Sequence, residues 1–455
     1  MNVSRLMRGA SAVLVALGLM AGAVSTASAE GFAISTLSAR GGSFGGGAAS
    51  GMVARADDAS AVAYNPAGLT QIEGTQIMGG LAAVALNLDI TTADGHWTTN
   101  SHQVWPIPHA YISHQLNDKF WIGGGIYTRW GLGHSYPDGW AGTSLANQRP
   151  TAGAGSALKS ITMLTSTINP TLAYKINDVW SVAAGVSYTW GYLSLNNQVY
   201  ALGDHIGDVR IHSENGRSFG YNLALHAKFN EQWSAGLTYR SHERMKFNGS
   251  VRVRNVGDGF FLNGTAGNGT TAAMKNGLYN SRGKATIVLP DIITLGVAYK
   301  PTEKLSFEAD VAYTVWSRWR NLQVDLLSAN PINAQPGANA PSGINQQKNW
   351  RDTWAFSISA EYWALDWLAL RAGFLYETSP LNGEEYNDYF IPTNGRLQYS
   401  AGFGLKYNAW TLDFAYIYMQ EKEVHLKNGG TAETLACKFG NGYDHTFALT
   451  LGYKF

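Results

Sequence analysis

The residues of this chain that could do chemistry are few, and their spacing argues against most reactions. Gly41-Gly42-Ser43-Phe44-Gly45 matches the G-x-S-x-G arrangement that presents a nucleophilic serine on a strand-to-helix turn. No strand pattern precedes it and no helical pattern follows, so the match lacks the context that would lift the hydroxyl into a site. The eleven histidines show no metal-ligand spacing, and His242-Glu243 lacks the second histidine of a zinc hydrolase. Cys437 is the single cysteine, so no internal disulfide is available. No metal, cofactor or catalytic triad is expected.

Charged side chains instead take part in an alternation. Phe307, Ala309, Val311 and Tyr313 alternate with Glu308, Asp310, Ala312 and Thr314. Leu368, Leu370, Ala372, Phe374 and Tyr376 oppose Arg371 and Glu377. Near the C-terminus, Tyr443, His445, Phe447, Leu449, Leu451, Tyr453 and Phe455 oppose Asp444, Thr446, Ala448, Thr450, Gly452 and Lys454. A period of two is that of a strand with one apolar and one polar face. Strands of about ten residues, apolar outward and polar inward, are those of a transmembrane barrel. Arg371, Arg240, Arg244, Arg318 and Lys406 all read as inward, where a buried cation could meet a carboxylate ligand. The competing reading pairs them with Glu308, Asp310, Glu361 and Glu377 across the lumen, because an unpaired interior charge is costly.

The ends and the composition agree with a barrel. Arg5 and Arg8, the apolar run Ala10 to Val24 and the small residues Ala27-Ser28-Ala29 read as a signal peptide over 1–29, with a mature start at Glu30. Only 14% of residues are charged, against about a quarter in soluble domains. Aromatics make up 12%, and 52 glycines supply turns and bends. A net charge of +1 offers no case for nucleic acid. Short turns, such as Leu116-Asn117-Asp118 and Ile176-Asn177-Asp178, alternate with long polar segments near 91–104, 130–158, 197–216, 248–281, 322–349, 379–395 and 425–442. Such alternation predicts periplasmic turns, extracellular loops and about fourteen antiparallel strands. A terminal aromatic, Phe455, resembles the signal that outer-membrane barrels show to their assembly machinery. The barrel is expected over 76–455 and a small-residue plug within it over 30–75.

On these residues the chain resembles the FadL/TodX-type outer-membrane importers of long-chain fatty acids and hydrocarbons. The resemblance rests on Ala56-Asp57-Asp58-Ala59 leading into Tyr64-Asn65-Pro66-Ala67-Gly68-Leu69, on Gly31-Phe32, on Leu289-Pro290-Asp291 and on Tyr313-Thr314-Val315-Trp316-Ser317. Leu370-Arg371-Ala372-Gly373, Ser379-Pro380 and Ile391-Pro392 extend it. It implies a fourteen-stranded barrel blocked by an N-terminal hatch, an outer apolar groove between loops, an inner pocket against the hatch, and lateral exit beside an inward-bent strand. It also implies passive import by a monomer within lipid and lipopolysaccharide, with no cofactor.

Carried onto this sequence, the resemblance makes Phe32 a ligand contact and Asn65, Pro66 and Ala67 the turn that shapes the hatch. Gly123-Gly124-Gly125 is the expected strand kink, since three glycines weaken a strand; packing relief against the hatch is the alternative. Trp130, Leu132, Tyr136 and Trp140 are expected as exposed loop residues that capture ligand, with an interfacial girdle as the alternative for Trp130. Long-chain fatty acid is the expected cargo and monoaromatic hydrocarbon the alternative. A surface adhesin or structural barrel, and a barrel hydrolase, are the readings from other classes.

Overall fold

The computed structural model describes residues 33–34, 36–41, 51–92, 95–99, 103–137, 140, 155–201, 204–255, 278–326, 343–387, 390–426 and 436–455. Fourteen antiparallel strands close into one barrel. In chain order β1 is Thr75–Thr92, β2 is Val104–Gln115, and β3 comprises Phe120–Tyr127 and Gly131–Ser135. β4 is Gly155–Lys175, β5 is Trp180–Ala201 and β6 is Asp204–Lys228. β7 comprises Trp233–Arg240 and Glu243–Asn255, and β8 comprises Leu278–Leu289 and Ile292–Thr302. β9 comprises Leu305–Thr314 and Asn321–Leu326, and β10 comprises Gly343–Gln347 and Thr353–Leu365. β11 is Leu368–Glu377, β12 is Arg396–Tyr407, β13 comprises Trp410–Glu421 and Val424–Leu426, and β14 is Cys437–Lys454. Closure comes from β1 against β14, in register from Gln76 opposite Lys454 to Asn87 opposite Tyr443.

The alternation read from the sequence becomes the two faces of the wall. Phe307, Leu370, Phe447 and Leu449 lie 38 to 50% exposed on the outer face, while Glu308, Asp310, Thr446 and Thr450 are buried within. Several extracellular strand halves reach into segments expected as loops: β5 and β6 together occupy most of 197–216, and β7 runs to Asn255. Polar outward residues there mimic a loop in sequence, yet the backbone remains paired beyond the apolar band.

Four neighbouring strands, β7 to β10, break at a common level. Pro290 has no N–H for the ladder. Beside it the Asp291 carboxylate accepts from the Tyr239 hydroxyl (2.7 Å) and the His242 amide (3.0 Å), and pairs with Arg318. The Asp352 carboxylate accepts from the Tyr313 hydroxyl (2.6 Å) and the Ser317 amide (2.9 Å). The breaks change the strand phase. Arg240 faces inward, but after Ser241-His242 it is Met245 and Phe247 that are buried, so Arg244 turns outward and exposed. Arg318, on a short 3-10 turn, is also largely exposed. Both therefore depart from the inward placement their parity predicts.

The wall is also open on one side. β2 pairs with β1 over its whole length, from His114 opposite Thr75 to Val104 opposite Ala85. Its pairing with β3 stops at Ala110 opposite Ile126. Among the described residues, the upper part of β3, Gly131–Ser135, pairs with β4 alone. The Gln115 amide donates to Gly74 on the β1 side, and the Leu116 amide donates to Phe120 on the other. Amides at even positions of β2 thus face β3, and that parity includes Pro106 and Pro108. Neither can donate, so a third strand has no ladder to join, which is how prolines keep strand edges unpaired.

Replacing both with valine restores two donors facing the gap. The new amides at positions 106 and 108 are expected to exchange about fivefold or more slowly than the same residues in an unstructured peptide if β3 closes onto them; exchange at the unstructured rate at both would show that something other than the missing donors holds the gap open.

Candidate functional site

Residues 51–74 lie inside the barrel, and most of them are buried. Two 3-10 turns organise them. Asp58 caps Ala59–Val62 by accepting from the Ser60 amide at 2.9 Å, and Asn65 caps Pro66–Gln71 by accepting from the Ala67 amide at 3.1 Å. Pro66 takes the first helical position, where its missing N–H costs nothing. The expected turn-forming role of Asn65 and Pro66 matches this geometry, and the Asn65 amide also donates to the Val53 carbonyl (2.7 Å) and the Leu225 carbonyl (3.1 Å).

A backbone threaded through a lumen has no ladder partners, so inward side chains of the wall supply them. Glu308 on β9 accepts three successive amides, those of Val53, Ala54 and Arg55, at 2.6, 2.8 and 3.0 Å. Arg240 on β7 donates to the carbonyls of Val62 (2.8 Å) and Ala63 (2.6 Å), and to Asn169 (3.1 Å). His226 and Ser234 both meet the Ala54 carbonyl. Neither Glu308 nor Arg240 pairs mainly across the lumen, as the charge reading had it; the inner segment occupies them.

Below this segment the lumen is charged. Arg371 donates to Glu361 at 2.7 Å and to Asp413 at 2.6 Å. Glu361 also meets Arg40 and Arg55 at 3.2 Å, and Arg40 reaches Asp57 at 2.8 Å. These groups line a cavity of about 770 Å³ at the mouth where Lys300, Lys304, Lys406 and Lys454 gather. Arg371 is thus held by two carboxylates, which agrees with the pairing reading and not with a cation poised for ligand.

Above it the lumen is apolar. Trp130, Leu132, Tyr136 and Trp140, expected as exposed, are at most 3% exposed. Tyr136 stacks on Trp140 with centroids 4.9 Å apart, and Trp140 donates to the Leu158 carbonyl. The breaks in β9 and β10 turn further indoles inward: Trp316 and Trp319 meet Trp350 at 5.0 and 4.9 Å, and Trp130 meets Trp316 at 5.8 Å. Beside them lies a narrow chamber of only about 30 Å³ whose twelve lining residues are all apolar, among them Leu132, Met163, Leu193, Trp319, Phe390 and Ile391. Lys348 is fully buried, with its Nζ 5.2 Å from the Trp319 ring centroid and 5.7 Å from that of Phe390. Its place at the chamber was not legible in sequence, because Lys348 falls in a stretch read as loop.

The three glycines lie in the lower part of β3, just below the end of its pairing with β2. β3 pairs continuously with β4 from Phe120 to Tyr127. A Cβ at Gly123 would come within 2.6 Å of Leu69 and 2.7 Å of Val62, so the glycine admits the inner segment. The ladder breaks three residues later. There Ala33 forms a bridge with Trp130, the Ile34 amide donates to the Arg129 carbonyl at 2.9 Å, and Ile34 packs with Trp105 and Ile107 across the gap. Phe32 and the G-x-S-x-G match beyond Gly41 lie outside the described residues. No group of three His, Cys, Asp or Glu able to hold a metal occurs among those described.

A closed β-barrel with a lipid-compatible outer face, a filled lumen and an apolar chamber defines a membrane channel of the outer-membrane type. The family model for outer membrane protein transport proteins (OMPP1/FadL/TodX) matches residues 20–455, and the chain belongs to that family of outer-membrane transport channels. A long-chain fatty acid transport protein of Escherichia coli is 24% identical over 444 residues, covering 88% of this chain and 92% of the relative. Among solved structures, a Pseudomonas aeruginosa FadL homologue superposes with TM-score 0.74 at 18% identity, covering 93% of this chain and 99% of its own. The Pseudomonas putida toluene transporter TodX gives TM-score 0.66 at 14% identity, covering 94% and 100%. At such identities the structural likenesses speak for the fold.

Truncating Glu308 to alanine strands three buried amides, at about 1–3 kcal/mol for each unsatisfied donor. The expected result is a barrel that stays folded while residues 51–56 become accessible to protease; unchanged protection would mean the anchor is dispensable.

Proposed function

We propose that this channel imports long-chain fatty acids, with the narrow apolar chamber widening to take the alkyl chain. The observation that carries this reading is the wholly apolar chamber in the lumen, and the likeness to a long-chain fatty acid transport protein supports it. Apolar burial supplies about 25 cal/mol per Å², enough to draw an alkyl chain from water without an energy source. The residues over 30–75 act as the hatch. Their polar anchors can be exchanged for water, but Val62, Leu69 and Ile72 also pack into the core of the barrel, so movement of the segment must repack those contacts.

Exit runs sideways through the gap between β2 and β3, which Ile34 covers from inside. A ligand leaving there enters lipid and avoids the aqueous periplasm. Phe32, next to the bridge at Ala33, remains a proposed ligand contact, as do Trp130, Leu132, Tyr136 and Trp140 around the chamber. The channel works as a monomer, and Phe455 serves as its assembly signal.

Import of a monoaromatic hydrocarbon is the second reading, favoured by a lining that offers such a molecule apolar side chains alone.

Uptake of labelled oleate and labelled toluene, compared in an outer-membrane strain lacking its own importers, separates the two. Oleate uptake above the empty-vector control is expected. Toluene uptake alone would move the assignment to hydrocarbons. Uptake of neither, with the barrel inserted, would sink the import reading.

A further inference from the structure

We propose that the outer wall of this barrel carries a binding site for the phosphate groups of lipopolysaccharide, built by Arg210, Arg217, Arg244, Lys246 and Arg252. The site is independent of the cargo and of the lumen.

Its depth follows from β6. Phe229, Leu223, Tyr221 and Phe219 lie on the outer face, with Phe219 76% exposed. The ten residues from Phe229 to Phe219, at about 3.3 Å each and tilted by about 40°, rise roughly 25 Å, the height of an outer-membrane apolar band. Arg217 is the next outward position beyond Phe219, and Trp190 of β5, an exposed aromatic at the edge of the band, stands opposite it. The guanidinium therefore sits where hydrocarbon gives way to head groups.

Its composition is the second observation. Lys246 of β7 stands directly opposite Arg217, and higher on the same two strands Arg252 stands directly opposite Arg210. Arg244 lies two residues below Lys246 on the same face, and all five side chains are exposed. None of the five forms an ion pair with another described residue. The exposed Glu214 of this face meets His212 instead, at 3.1 Å. Like charges directly opposite on neighbouring strands destabilise a sheet. Two such pairs stacked on one face, beyond the reach of internal carboxylates, repel one another and are relieved by a counter-charge from outside.

At that depth the available anion is the phosphate of the outer-leaflet glycolipid. Arginine suits it because the guanidinium fork binds phosphate oxygens in pairs. The breaks at Ser241-His242 contribute directly, since the change of phase turns Arg244 and Lys246 outward when unbroken alternation would have buried them.

The test uses the intact purified barrel in neutral detergent, with binding read by native mass spectrometry. The probes are lipid A carrying two phosphates, the same lipid A without phosphate, and inorganic phosphate as competitor. The bisphosphorylated lipid is expected to bind at about tenfold lower concentration than the dephosphorylated one. The R217Q/K246Q double variant should lose that preference, R217K/K246R should keep it, and K300Q/K454Q at the opposite mouth should leave it unchanged. Folding is checked by heat-modifiable gel migration, and R210Q/R252Q replaces the first variant if that one fails to fold. Equal affinity of the native barrel for the two lipids, or a preference that survives both neutralised variants, overturns the site. Displacement of the lipid by inorganic phosphate at equal concentration would reassign it to a free anion. Oleate uptake is unaffected by any of these outcomes, so failure here leaves the transport reading standing.

Discussion

Every backbone amide placed away from water must find a partner, and in a membrane the cost of failing is several kcal/mol per group. Closure of β1 onto β14 meets that demand for the wall. It cannot meet it for the chain inside, which has no neighbouring strand. There the demand passes to side chains: Glu308 for three amides, Arg240 for two carbonyls, and His226 and Ser234 for the Ala54 carbonyl they share. The polar residues that alternate along the inner face are thus partners reserved for one particular backbone path.

The same demand explains the division of the lumen. Charges gather below the inner segment because Arg40, Arg55 and Arg371 share the carboxylates of Asp57, Glu361 and Asp413. Buried ion pairs give little net stability, but removing one partner leaves an uncompensated charge, so they specify where the segment docks. Above it, indoles and aliphatic side chains form a chamber without polar walls. The inner segment is thus held by ionic and hydrogen-bonded anchors below and faces an apolar chamber above.

Interruptions in the strands do most of the work of differentiation. In β7 to β10 they swing Trp316, Trp319 and Trp350 inward and carry Arg244 outward. In β3 the break after Tyr127 admits Ala33 and Ile34 to the wall, while Pro106 and Pro108 keep β2 from closing on it. A perfectly regular barrel of this sequence length would have neither chamber nor gap.

Period-two alternation, turn spacing and the terminal aromatic determined by themselves that this is a barrel of fourteen strands, because one face in lipid and one in the lumen force a binary pattern on every strand. Asn65 and Pro66 as turn-formers were legible too, since a side-chain cap and a fixed φ act locally. The prolines at 106 and 108 were readable in principle from their shared parity, but which neighbour they deny depends on strand pairing. Parity failed at Arg244 and Arg318, where a break elsewhere in the strand shifts the phase. That Trp130 and Tyr136 are buried, that Arg371 is doubly paired and that Lys348 stands at the chamber were decided by tertiary structure alone. Burial and pairing depend on which distant strand arrives alongside, and a single strand's sequence carries no record of its neighbour.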